Sequence, residues 1–212
     1  MRCALRTIWL ASAWRKIKIS WLREALEKAV DLSVEVVPEI PGRTAVLLDI
    51  SGSMRGRPLL AGSVLALSIL KRAGGDGMIR LFDTEDRIFR TRRTESVLAA
   101  AARIRAGGGT DAGVSVRAMT AEKAWCNQLV IVTDEQQNTG PGFRADLEEY
   151  RRLVSPRARA FIINVAPYEH GMAPADDEKT FYCYGWSDNV ISFIANTVAG
   201  HGNLVEKVLA LE

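Results

Sequence analysis

Thr44-Ala45-Val46-Leu47-Leu48-Asp49-Ile50-Ser51-Gly52-Ser53 is the stretch that decides how this chain folds. Residues 45–48 form a short unbroken apolar run, the pattern of a parallel strand covered on both faces, and the run stops abruptly at an aspartate followed by alternating serines. A second four-residue run, Leu129-Val130-Ile131-Val132, stops in the same way at Thr133-Asp134. Between the two runs, apolar periodicity predicts helices over 59–72, 96–104 and 112–125 and strands over 78–82 and 87–90. Beyond them it predicts a helix over 144–153, a strand over 160–165, a short strand near 181–184 and a final helix over 188–199. Strands alternating with helices need crossover connections, so the expected fold class is α/β, a doubly wound and mainly parallel sheet with helices on both faces.

Upstream, Leu5, Ile8, Trp9, Ile17, Trp21, Leu22, Ala25, Leu26 and Ala29 recur at helical spacing, predicting an amphipathic helical appendage over 5–32. Pro38 and Pro41-Gly42 end it, because proline has no amide hydrogen and disfavours a helical residue before it. The expected division is therefore a helical segment with linker, 1–42, and a main domain, 43–212.

The chain has 212 residues, 48% hydrophobic and 25% charged, which excludes intrinsic disorder, collagen and a disulfide miniprotein. Net charge is +3, but Arg2, Arg6, Arg15, Lys16, Lys18 and Arg23 stand in the first 23 residues with no acid among them, so the rest is net acidic. Three cysteines, Cys3, Cys126 and Cys183, are odd in number and lack a C-x-x-C pair, which argues against a disulfide framework or zinc site and for a reducing, cytoplasmic setting. No apolar run approaches the roughly 20 residues of a membrane span, and Arg6, Arg15, Lys16 and Lys18 interrupt the signal-like stretch 8–14.

In open α/β sheets, ligands bind beyond the carboxyl ends of the strands. Three polar segments stand there: Asp49-Ile50-Ser51-Gly52-Ser53, Gly107-Gly108-Gly109-Thr110-Asp111 and Thr133-Asp134. If the two apolar strands are neighbours, Asp49 and Asp134 emerge together and the glycine loop can fold over them. Asp49, Ser51, Ser53, Thr110 and Asp134 are all hard oxygen donors, which favours Mg2+, with Mn2+ or Ca2+ as alternatives, over zinc. Two carboxylates at most neutralise a divalent ion, so the site invites an external anion. Asp111 is expected to cap its helix or to orient a metal-bound water, and Glu135 to face solvent.

Enzyme signatures are missing. There is no G-x-x-x-x-G-K-[ST] loop, the glycine triplet does not fit a dinucleotide fingerprint, and the two histidines, His170 and His201, have no evident nucleophile to serve. The chain is expected not to be an enzyme.

The set Asp49-x-Ser51-x-Ser53, Thr110 in a glycine loop and Asp134 after an apolar strand resembles the metal-ion-dependent adhesion site of von Willebrand factor A domains, all five positions in order. The resemblance implies that family's Rossmann-like topology. More narrowly, Pro41-Gly42-Arg43-Thr44 leading into Leu-Leu-Asp-Ile-Ser-Gly-Ser-Met, the segment 131–136, Ile163-Asn164-Val165-Ala166-Pro167-Tyr168 and Gly185-Trp186-Ser187 resemble bacterial Ro proteins of the TROVE family. Residues 20–32 resemble that family's last helix before its A domain. The resemblance spans the chain but only the family's C-terminal half, without its ring of helical repeats.

It implies a non-catalytic ribonucleoprotein component with a small noncoding, Y-like RNA as partner, and with a helical-repeat chain or an RNA-processing exonuclease as further partners. Arg2, Arg6, Arg15, Lys16 and Lys18 would be RNA-facing. Arg87, Arg90, Arg92, Arg93, Arg103 and Arg105 form a second basic stretch, and neither stretch has the interleaved aromatics of a single-strand platform. The competing expectation is a metal-dependent protein docking module with no RNA role.

Overall fold

The computed structural model describes residues 17–74, 77–92, 94–135, 142–166 and 177–200. Its elements run α1 (Ser20–Glu35), β1 (Thr44–Asp49), α2 (Arg57–Arg72), β2 (Met78–Phe82), β3 (Asp86–Ile88), α3 (Val97–Arg103), α4 (Val114–Ala121), β4 (Gln128–Thr133), α5 (Phe143–Leu153), β5 (Arg159–Asn164), β6 (Thr180–Tyr184) and α6 (Asp188–Val198). The strands form one sheet in the order β3-β2-β1-β4-β5-β6. Only β3 is antiparallel to its neighbour.

Every residue of β1 and β4 is buried, as their unbroken apolar character requires of strands covered on both faces. Strand alternation divides the core. Val46, Leu48, Val130, Val132, Phe161 and Ile163 meet α2, α3 and α6 on one face. Ala45, Leu47, Leu129, Ile131, Ala160 and Ile162 meet α4 and α5 on the other. This is the expected doubly wound, von Willebrand factor A-like arrangement. Strands are added outward from β1 on one side and outward from β4 on the other, so the gap beyond the carboxyl ends of β1 and β4 is the switch point at which such sheets bind ligands.

Helix α1 packs by a different stripe from the one its sequence suggested. Leu26, Val30 and Val34 join the first-face core, whereas Trp21, Ala25 and Ala29 are exposed, Trp21 by 67%. The sequence carries two apolar stripes one residue, or about 100°, apart. Polar contacts select between them. Asp31 accepts the Val97 amide at 3.1 Å and pairs with Lys71 at 2.9 Å, while Glu27 accepts the Ser96 hydroxyl at 2.8 Å. Both carboxylates thus meet the start of α3, where the helix dipole favours negative charge. The part of the predicted helix before Ile17 lies outside the described residues.

Two other elements are shorter than the apolar pattern implied. Helix α4 stops at Ala121 because the chain turns through Lys123, which has a positive φ of 52°. Strand β3 ends at Ile88. It is tethered by Arg80, 2% exposed, whose guanidinium binds Asp86 at 2.7 Å and Glu122 at 2.8 Å.

Candidate functional site

Asp49 closes β1, and its side chain is wholly buried. One carboxylate oxygen accepts the Ser51 amide at 2.8 Å, and the other accepts the Thr133 hydroxyl at 2.7 Å. The first bond turns the chain as it leaves the strand and brings the Ser51 and Ser53 hydroxyls within 3.1 Å of each other. The second ties β1 to the end of β4, one residue before Asp134. Burial pushes the Asp49 carboxyl up to about 6; the hydrogen bonds from Thr133 and Ser51 oppose the shift, and repulsion from Asp134 adds to it.

The glycine loop crosses directly over this turn. Gly107 donates its amide to Ile50 at 2.8 Å, and Gly52 donates to Gly108 at 3.0 Å. Gly108 has φ +81°, and a Cβ there would sit 3.0 Å from the Asp83 carboxylate, so both conformation and space require glycine. The loop is pinned again where the Asp111 amide donates to the Asp83 carbonyl at 2.8 Å. Thr110, between these anchors, is 1% exposed, as is Asp134.

Two flanking acids behave differently from each other. Glu135, expected in solvent, is instead 8% exposed, sits at φ 60° and accepts the Asn164 amide group at 2.9 Å. A local turn buries it: the Thr133 hydroxyl accepts the Glu135 amide at 2.9 Å and folds the chain back towards the end of β5. Asp111, expected to cap the helix, does not: Gly113 is the N-cap and carries no side-chain cap, and Asp111 instead accepts the Gly113 amide at 3.2 Å just before α4 while Arg117 binds its other oxygen. The same guanidinium donates to Asp146 in the first turn of α5. Burial disfavours that guanidinium's charge, yet its bonds to Asp111 and Asp146 hold it above the ordinary arginine value.

Sequence reading did not single out Arg117, Asp146 or Asn164 as neighbours of the site. An arginine six residues along from an aspartate carries no signal until α4 and α5 pack together. Thr133 was noted only as a neighbour of Asp134, and nothing in the sequence said that its hydroxyl binds Asp49.

Among the described residues no group of three or more His, Cys, Asp or Glu side chains is placed to hold a metal ion, and no helix is long and apolar enough to cross a membrane. The donor chemistry at the switch point is thus two carboxylates with hydroxyls. Of the basic residues expected to face RNA, Lys18 is exposed, and Arg2, Arg6, Arg15 and Lys16 lie outside the described residues. In the second basic stretch, Arg87 is paired with Asp83 and Glu85, and Arg103 with Glu95.

No protein-family model and no curated protein matches the chain. Solved structures do. The crystal structure of the Deinococcus radiodurans Ro (RSR) protein superimposes with a TM-score of 0.68 at 20% identity, covering 86% of this chain and 40% of that one. A von Willebrand factor type A structure from Catenulispora acidiphila gives 0.50 at 16% identity, over 76% of this chain and 42% of that one. Proximal thread matrix protein 1 from the mussel byssus, in a structure with a zinc-occupied MIDAS motif, gives 0.50 at 11% identity, over 76% and 48%. The chain thus spans less than half the length of each of these structures.

Proposed function

We propose that this chain is a Ro-like A module of the TROVE type that holds a divalent cation through Asp49, Ser51, Ser53, Thr110 and Asp134, and that uses the cation to dock an acidic group of a partner. One observation carries the reading: a wholly buried Asp49 carboxylate, already repelled by Asp134, ends a strand at the switch point of the sheet beside two hydroxyls 3.1 Å apart. Two buried carboxylates close enough to repel cost stability unless a positive charge joins them. The donors fit that charge. All are hard oxygens, which suits Mg2+ first, then Mn2+ or Ca2+, and two carboxylates leave the cation able to accept one further anion. A cation held there would supply the electrophilic centre for that anion. The chain's own part is to order Ser51 and Ser53 through the Asp49 turn and to hold the Thr110 loop down through Gly107 and Gly108. These donors are taken as a binding site rather than a catalytic one.

The RNA-associated part of the reading rests on the Ro-type motifs in the sequence and on the superposition with the Ro protein. We take the cytoplasm as the setting that goes with this reading; among the described residues Cys126 and Cys183 are free thiols. A metal-dependent docking module without an RNA role is the second reading. It is favoured by the likeness to a byssus matrix protein and by the ion pairs that neutralise Arg87 and Arg103.

Calorimetric titration with Mg2+ tests the site: the wild type should bind and Asp49→Ala should not. Equal binding by both would remove the site. A gel shift with structured small RNA across a salt series separates the two readings, because binding through phosphates must weaken steeply as salt rises.

A further inference from the structure

We propose that Arg117 is a positioning residue that sets the charge of the candidate cation site by withholding the Asp111 carboxylate from it. The inference rests on the cation reading above and concerns what that site then accepts.

Asp111 follows Thr110 directly and is 8% exposed, so a bare carboxylate there would act on anything held at Thr110 through little water. It is not bare. One oxygen is taken by the Gly113 amide and the other by Arg117. The second arm of the same guanidinium reaches Asp146, which is 5% exposed on α5, the helix after Asp134. One planar cation therefore ties the loop that carries Thr110 to the helix that follows Asp134, a bridging geometry that lysine, a single point charge, cannot copy in full. The backbone is shaped around this bridge, since a Cβ on Gly113 would lie 1.7 Å from the Asp146 carboxylate oxygen and 2.8 Å from an Arg117 nitrogen.

The consequence is a charge count. With Asp111 neutralised by Arg117, and Asp83 beside the glycine loop likewise paired with Arg87, the charge left for the cation is that of Asp49 and Asp134; a divalent ion then leaves the centre neutral, and an external carboxylate is tolerated. With Arg117 removed, a third negative charge stands beside Thr110. The cation is then held more tightly, and the anion it should recruit is repelled. A purely structural role predicts something else: loss of the bridge would loosen the loop and weaken both.

The test uses the full chain, Mn2+ followed by its paramagnetic resonance signal, and a fluorescent hexaglutamate peptide added at saturating Mn2+. Arg117→Ala should tighten Mn2+ binding by about three- to tenfold and weaken peptide binding by a similar factor, as expected for one screened unit charge nearby. Asp111→Asn, which keeps the guanidinium, should shift both in the opposite sense. Arg117→Ala combined with Asp111→Asn should return both to wild-type values. The proposal is overturned if Arg117→Ala weakens both ligands or leaves both unchanged. It is equally overturned if Asp111→Asn, should Arg117→Ala not fold, fails to loosen Mn2+ and tighten the peptide. A wild type that takes up no Mn2+ would instead defeat the cation reading itself.

Discussion

Replacing Asp49 with asparagine in the metal-free protein should change stability with opposite sign at acid and at neutral pH. The Asp49 carboxyl is wholly buried, and its pKa is raised from 3.8 to about 6. That gap of roughly two units corresponds to about 3 kcal/mol of destabilisation once the group is charged. A raised carboxyl pKa costs almost nothing below about pH 3, where folded and unfolded chains both hold the proton. The cost grows as pH climbs towards 6 and is complete above it. Asparagine keeps an oxygen for the Ser51 amide but turns a donor group towards the Thr133 hydroxyl, a loss of about 1 kcal/mol. The variant should therefore be more stable than wild type by about 2 kcal/mol at pH 7.5 and less stable by about 1 kcal/mol at pH 3. Urea unfolding in EDTA at the two pH values, followed by tryptophan fluorescence, measures the difference directly. The same stability difference at both pH values, or a variant weaker at pH 7.5, would show that Asp49 carries no buried charge and would remove the physical basis of the cation site.

Two further outcomes follow from other parts of the molecule. Arg80→Met leaves Asp86, whose side chain is 12% exposed, without its main partner, and should lower stability by about 3 kcal/mol in denaturant at neutral pH, the usual cost of breaking a buried ion pair. Cys126 is fully buried with its sulfur 3.1 Å from the Tyr150 hydroxyl, and burial pushes its thiol up to about 11. Iodoacetamide at pH 8, read by mass spectrometry, should modify it only after denaturation.

The fold was legible because β1 and β4 announce themselves twice, by continuous apolar character and by the abrupt polar residues that end them. Sequence left the neighbouring placement of these two strands as a condition, which the strand order meets, and Asp134 then lies close enough to Asp49 to repel it. What stayed hidden was relational. Two stripes on α1 satisfy the same periodicity, and only the bonds of Glu27 and Asp31 to the start of α3 choose between them. Glu135 looks like any acid in a loop until the Thr133 hydroxyl turns the backbone and buries it. Arg117 has no local pattern, since its partners come from a loop and from a different helix.

The Thr133 to Asp49 bond joins residues 84 positions apart, across a pair of parallel strands. Such pairings are entropically late, because a long intervening length of polypeptide must be ordered before they form. The paired ends of β1 and β4 therefore cannot form in a nascent chain that has only emerged as far as the first strand, nor in any proteolytic piece that lacks the second. A cation captured there would report that these two central strands have met.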